Sequence, residues 1–209
     1  MSSLTINWVD FLVVLLLGVG LWRGRKRGMS QELLDVIKWA LVVVIPGFLS
    51  WPVGTLLGQF FPALSALFCY LAIYITLALV ILFVFGVIRR GPGEKLVGSD
   101  LFGSSEYYLG MMAGAFRYAC IILFVMALLN ARQYSAAEIK ANIKYQDDNF
   151  GTTFFPTLPD IQRAVFKDSF IGRLTHEYLE VVLIHPAAPG EKVASDSSTA
   201  RARERSGPR

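Results

Sequence analysis

Between Trp39 and Ile88 the sequence contains no aspartate, glutamate, lysine, arginine or histidine. A helix on a water-soluble domain needs a polar face, and a stretch of this length without charge offers none. Charge is scarce throughout: 17% of the 209 residues are charged, against about a quarter in an ordinary soluble domain. Hydrocarbon is the solvent that tolerates such a surface, because there the exposed side chains are apolar.

Cysteine and histidine are nearly missing too. Cys69 and Cys120 both lie in apolar stretches, as small buried residues rather than a disulfide or metal ligands. His176 and His185 have no cysteine or second histidine at ligand spacing, so neither a metal nor a cofactor is expected. There is no Gly-x-Ser-x-Gly, no His-Glu-x-x-His, no phosphate loop and no pair of aspartates within facing spans. The chain is therefore expected not to be an enzyme. The net charge of +4 does not point to nucleic acid, since the basic residues sit in short loops beside apolar spans. A cleavable signal peptide carries its positive charge before its apolar stretch, whereas Arg23, Arg25, Lys26 and Arg27 follow it. The first segment is expected to stay.

What is present is span-length apolar sequence. A hydrocarbon core of about 30 Å needs roughly 20 helical residues. Four segments qualify: about Leu4 to Trp22, Leu33 to Leu49, Ala63 to Ile88 and Tyr107 to Asn130. The breakers Pro46-Gly47, Trp51-Pro52-Val53-Gly54 and Phe61-Pro62 put the turn between the second and third spans around residues 50–62, with a re-entrant hairpin as the competing arrangement. The loop Arg23 to Arg27 and the loop with Arg89, Arg90 and Lys95 are basic, while the loop between them is uncharged. Positive loops stay inside, so both termini are expected outside, in the periplasm of a bacterium.

Beyond Asn130 no further span is long enough. Phe170, Leu174, Tyr178 and Val181 recur at helical spacing, which predicts an amphipathic helix from about Lys167 to Ile184, packed on the bundle or lying in the interface. From Pro186 the chain is rich in Pro, Ala, Ser and Arg and reads as a disordered tail. The expected class is an all-α membrane protein: a four-helix transmembrane domain (1–130), an extracytoplasmic region with an amphipathic helix (131–185) and the tail (186–209).

Trp8-Val9-Asp10, Arg27-Gly28, Glu32 and Trp39 in the first part, then Glu106-Tyr107-Tyr108-Leu109-Gly110, Gly114 and Arg117 at the fourth span, resemble the colicin V production protein (CvpA) family of bacterial inner-membrane proteins. The resemblance covers about residues 4–130. The family usually has Asp where Glu106 stands, and a Gly where Tyr118 stands. The resemblance implies a place in the bacterial inner membrane and a role in colicin V (toxin) production or export, or in envelope maintenance. It implies no biochemical activity.

Within this frame the chain is expected to act as a membrane scaffold or assembly factor, with a small transporter or channel as the alternative. Its expected partners are the lipid bilayer and unidentified membrane or export proteins; nucleic acid is excluded and a homo-oligomer is left open. Arg117 lies deep in the fourth span, where a lone charge costs at least about 2.5–3.5 kcal/mol. Depth alone pairs it with Asp10, with Asp35 or Glu106 as alternatives. Gly110 and Gly114 form Gly-x-x-x-Gly, which favours close helix packing within the bundle over dimerisation. Asp35 and Lys38 are placed to pair at spacing three, and Ser30 suits a helix N-cap. Arg23, Arg25, Lys26 and Arg27 suit anionic lipid headgroups.

Overall fold

The computed structural model describes residues 7–90, 105–150 and 156–187. The first residues of the expected first span, Lys95, and residues 188–209 of the expected tail lie outside the described residues. Everything described is helical or irregular, apart from one isolated backbone bridge between Arg132 and Ala187. Four long helices come first: α1 (Trp8–Arg27), α2 (Met29–Phe60), α3 (Ala66–Arg90) and α4 (Glu106–Asn130). Then follow α5 (Ala136–Phe150), α6 (Leu158–Arg163), a π-helical turn (Ala164–Asp168), α7 (Phe170–Tyr178) and a 3-10 turn (Glu180–Val182).

Three helices, α2, α3 and α4, are long and apolar enough to cross a membrane. α1 has 20 residues, but Asp10 near its start and Arg23, Arg25, Lys26 and Arg27 at its end set it apart. The packing order runs α1 on α4, α4 on α2, and α2 on α3. α1 and α2 are joined by the single residue Gly28 yet touch little, because α4 wedges between them. Gly28 adopts φ +77°, a left-handed conformation natural only to glycine, which makes the one-residue turn.

The turn expected around residues 50–62 moves to Phe61–Ser65, and α2 runs as one 32-residue helix through Pro46 and Pro52. Proline deletes one helical hydrogen bond, whereas a turn inside hydrocarbon would strand several backbone groups at several kcal/mol each. The helix therefore continues rather than ends, and the hairpin alternative is not formed.

The predicted amphipathic helix from Lys167 to Ile184 is also revised. Ser169 is extended and its Oγ accepts from Gly172 N at 3.1 Å, so α7 starts at Phe170 and covers only nine residues. Phe170, Leu174, Tyr178 and Val181, the expected apolar face, are 44–71% exposed, while Gly172 and Thr175 are buried. The chain after α7 turns extended at Leu183 and inserts as a strap between α2, α3 and α4. Leu183 and Ile184 are buried there, His185 lies against the rings of Trp51 and Tyr70, and Asn130 Nδ2 donates to Ile184 O at 3.1 Å. Gly47 serves as the seat, since a Cβ there would stand 2.6 Å from Val182 O. Ala187 is buried, its N–H donates to Ala131 O and its carbonyl accepts from Gln133 N. Pro186 and Ala187 are thus part of the fold rather than the start of a tail. The apolar core sits at this end of the bundle, where Val9, Tyr70, Tyr74, Met126 and Ala127 meet Val165, Leu183 and Ile184.

Candidate functional site

The other end of the bundle, here called the basic end, collects Arg27, Gly28, Arg89 and Glu106. Two carboxylates are buried near it on the first turns of α2: Glu32 is fully buried and Asp35 is 8% exposed. Burying charge costs several kcal/mol per ion unless it is paired, and here each is paired. Arg117 Nη1 lies 2.6 Å from Glu32 Oε2 and 3.2 Å from Asp35 Oδ2. Lys38 Nζ lies 2.6 Å from Asp35 Oδ1, one helical turn along, as the spacing predicted. Arg27 approaches both acids at 3.6 Å, and Arg89 reaches Asp35 from α3 at 3.8 Å. Four helices thus contribute to one ion cluster.

Depth alone had paired Arg117 with Asp10, and that pairing is not formed. The Cα–Cβ bonds of a helix tilt toward its N-terminus, which in α4 is the basic end, so Arg117 is carried toward Glu32 and Asp35 and away from Asp10. Asp10 is engaged elsewhere. Its carboxylate accepts from Ser169 Oγ at 2.7 Å, Ile171 N at 3.1 Å and Phe170 N at 3.2 Å, and so caps α7 from outside. It also accepts from Asn7 N at 3.0 Å, closing a capping box on α1. Removing an acceptor that serves several buried donors costs about 1–3 kcal/mol or more. Asp10→Ala should therefore lower thermal stability by about 3 kcal/mol and release α7 to protease in membrane vesicles. Unchanged cleavage within residues 156–187 would show that Asp10 does not hold this segment.

Ser30 is not the N-cap of α2. The N-cap is Gly28, two residues earlier, and the Ser30 N–H donates to Glu106 Oε1 from α4 at 3.3 Å. A carboxylate on exposed N–H groups at a helix start is favourable, and here it arrives from another helix. A Cβ on Gly28 would stand 2.9 Å from the Glu106 side chain, so glycine serves both the turn and this contact.

Gly110 and Gly114 pack within the bundle. Their partners are Gly20 and Gly24 on α1 and Gly28 just after it, a second run of glycines at four-residue spacing, of which the sequence reading singled out Gly28 alone. A Cβ at Gly114 would lie 2.8 Å from the Gly24 Cα, and one at Gly110 would lie 2.7 Å from the Gly24 carbonyl oxygen. The backbones of α1 and α4 touch, which is what small residues on facing stripes permit. Tyr118 is accommodated because Gly20 faces it; a Cβ on Gly20 would stand 3.1 Å from the Tyr118 Cβ.

The basic run divides. Arg27 reaches inward to the cluster while its side chain stays 35% exposed. Arg25 lies over the Tyr107 ring at 4.7 Å and Lys26 over the Trp22 ring at 4.0 Å, and Arg23 is exposed. Trp8 is exposed at the opposite end, and Trp39 meets Phe124 edge to face at 6.2 Å. Cys69 and Cys120 are both buried free thiols.

Arg27 and Glu32, which meet Arg117 in the ion cluster, and Gly28 and Glu106, which meet beside it at the start of α2, thus gather at one end of the bundle. The colicin V production protein family profile matches residues 9–143, well over half of the chain and all of this cluster. No curated protein and no solved structure matches the chain. The matched segment holds the four long helices, their glycine crossing and the buried ions, so this apolar, all-helical chain belongs to the colicin V production protein family.

Proposed function

We propose that the chain is a four-helix scaffold or assembly factor of the bacterial inner membrane, serving toxin (colicin V) production or export, or envelope maintenance. α1 is then the fourth span, since 20 residues at 1.5 Å reach about 30 Å, the thickness of the hydrocarbon core. The observation that carries this reading is the lock of Arg117 on Glu32 and Asp35. The buried Arg117 is ion-paired by acids of its own bundle, beside a crossing where backbones touch. That is the interior of a fastened bundle rather than of a conduit.

The positive-inside rule sets the basic end in the cytoplasm and both termini in the periplasm. Exposed apolar side chains on α1 and α3, such as Phe11 and Phe83, face lipid, partner helices of membrane or export proteins, or a second copy. No cofactor or nucleic acid takes part in this reading, and no reaction is assigned to the chain.

A second reading, a small transporter or channel, draws on one observation. Both Glu32 carboxylate oxygens, Ser30 Oγ and Arg117 Nε are buried without an aligned hydrogen bond, and ionisable groups within a membrane are often functional. Two measurements separate the readings. Purification in mild detergent should recover a stoichiometric membrane partner, and reconstituted vesicles should show no ion or proton flux above empty ones. Flux without a partner would replace the scaffold by the transporter. Alkaline phosphatase fused after Arg132 should be active and fused at Arg90 inactive; the reverse pattern would invert the orientation.

A further inference from the structure

A groove of about 150 Å³ opens at the basic end between α2 and α3, next to the ion cluster. Its polar side is Lys38, Arg89 and the Asp35 carboxylate; its apolar side is Leu82 and Phe85, with Gly86 at the mouth. We infer that this groove seats the phosphate of an anionic phospholipid of the surrounding leaflet, with an acyl chain lying along α3. The inference rests on the reading that the basic end lies in the membrane.

Charge comes first. Among the described residues, Arg27, Lys38, Arg89 and Arg117 pair with Glu32 and Asp35 alone, and even with Glu106 beside them these cations are in excess. Asp35 has two oxygens for four cationic neighbours. The excess donors lie on the groove: an ammonium has three protons and Lys38 directs one to Asp35, while the Arg89 side chain is 60% exposed and meets Asp35 only at 3.8 Å. A phosphate oxygen is the acceptor that suits a lysine and an arginine together.

Shape and surroundings select a lipid over a free anion. On α3, next in sequence to the groove residues Leu82 and Gly86, Phe83 and Val87 are 73% and 56% exposed. A headgroup bound to Lys38 and Arg89 therefore has an apolar helix surface for its chain. A Cβ placed on Gly86 would meet no atom within 4 Å, so the mouth is open on the side from which a lipid arrives. Basic pockets between helix ends at the cytoplasmic leaflet recognise anionic headgroups by this combination.

The test uses the full-length protein, delipidated in detergent and titrated with phosphatidylglycerol or phosphatidylcholine, with bound lipid read by native mass spectrometry. One phosphatidylglycerol should be retained on the order of tenfold more tightly than phosphatidylcholine, whose quaternary ammonium offsets its phosphate and is repelled by Lys38 and Arg89. Arg89→Gln should remove most of that preference. Gly86→Leu, whose side chain enters open space, should abolish retention while the melting temperature in lipid-free detergent stays unchanged. Equal retention of the two lipids, undiminished retention by Gly86→Leu, or equal stabilisation by inorganic phosphate alone would overturn the seat. Binding in detergent does not depend on orientation or on a partner, so this outcome is separate from that of the fusions and the co-purification.

Discussion

Arg117→Ala should destabilise the bundle by about 3–5 kcal/mol, the cost of leaving a buried carboxylate without its partner. Glu32 is the residue left stranded: it is fully buried, and its remaining cation, Arg27, stands at 3.6 Å against 2.6 Å for Arg117. Asp35 suffers less, because Lys38 stays at 2.6 Å. Glu32→Ala should cost less than Arg117→Ala, since Arg117 keeps Asp35 at 3.2 Å. The double substitution removes the cation together with the acid it would strand and should recover much of the loss. The coupling between Arg117 and Glu32 should exceed the roughly 0.5 kcal/mol seen for independent sites. Arg117→Ala and Asp10→Ala, which share no partner, should add. Denaturation of the purified protein in mixed detergent and its level in membranes are the two readouts. Additivity of Arg117 with Glu32 would mean that the cluster does not hold the helices together.

Gly24→Leu should separate α1 from α4. A Cβ at Gly24 would stand 3.0 Å from both the Gly110 carbonyl carbon and the Gly114 Cα, with the Gly110 oxygen nearer still. These are backbone atoms of a helix and cannot swing aside as a side chain does. Overpacking costs about 1–3 kcal/mol where side chains relax, and here the expected cost lies at or above the top of that range. The control lies on the same helix: Gly18 has nothing within 4 Å of an added Cβ. Gly18→Ala should be neutral or stabilising by up to about 1 kcal/mol, the helix preference of alanine over glycine. If Gly24→Leu melts like the unaltered protein, the glycine crossing does not hold the fold.

The two predictions bear on different parts of the architecture. The glycine crossing brings α4 against α1, and this contact sets the height of Arg117 relative to α2. Gly28 and Glu106 then hold the start of α2 in register, with the Glu106 carboxylate on the Ser30 N–H. Loosening the crossing should therefore also weaken the ion cluster, and Gly24→Leu should reduce the coupling measured between Arg117 and Glu32.

Much of this was legible in order along the chain. The uncharged stretch from Trp39 to Ile88 determined a membrane solvent, because no other surroundings accept that much unrelieved apolar surface. Residue spacing determined the Asp35–Lys38 pair, and Gly110 with Gly114 determined a close helix contact within the bundle. These are local readings: spacing on one helix fixes which side chains share a face.

Only the tertiary structure decided which elements meet. The partner of Arg117 depended on the direction its side chain takes from α4, which a depth measured along the helix axis leaves out. Asp10 was bound to the start of α7 because α7, 159 and more residues later, folds back onto α1. Pro46 and Gly47, candidate breakers in the sequence, lie inside one continuous helix with Gly47 as the seat for Val182, since hydrocarbon penalises an opened backbone more than a missing proline hydrogen bond. The face of Phe170, Leu174 and Tyr178, which periodicity left either packed on the bundle or lying in the interface, is exposed, because Asp10 and Ser169 fix where α7 begins and which side faces the bundle. Composition and periodicity determined the solvent and the helices; the contacts between helices, which no single-helix pattern encodes, decided the pairing of the buried charges.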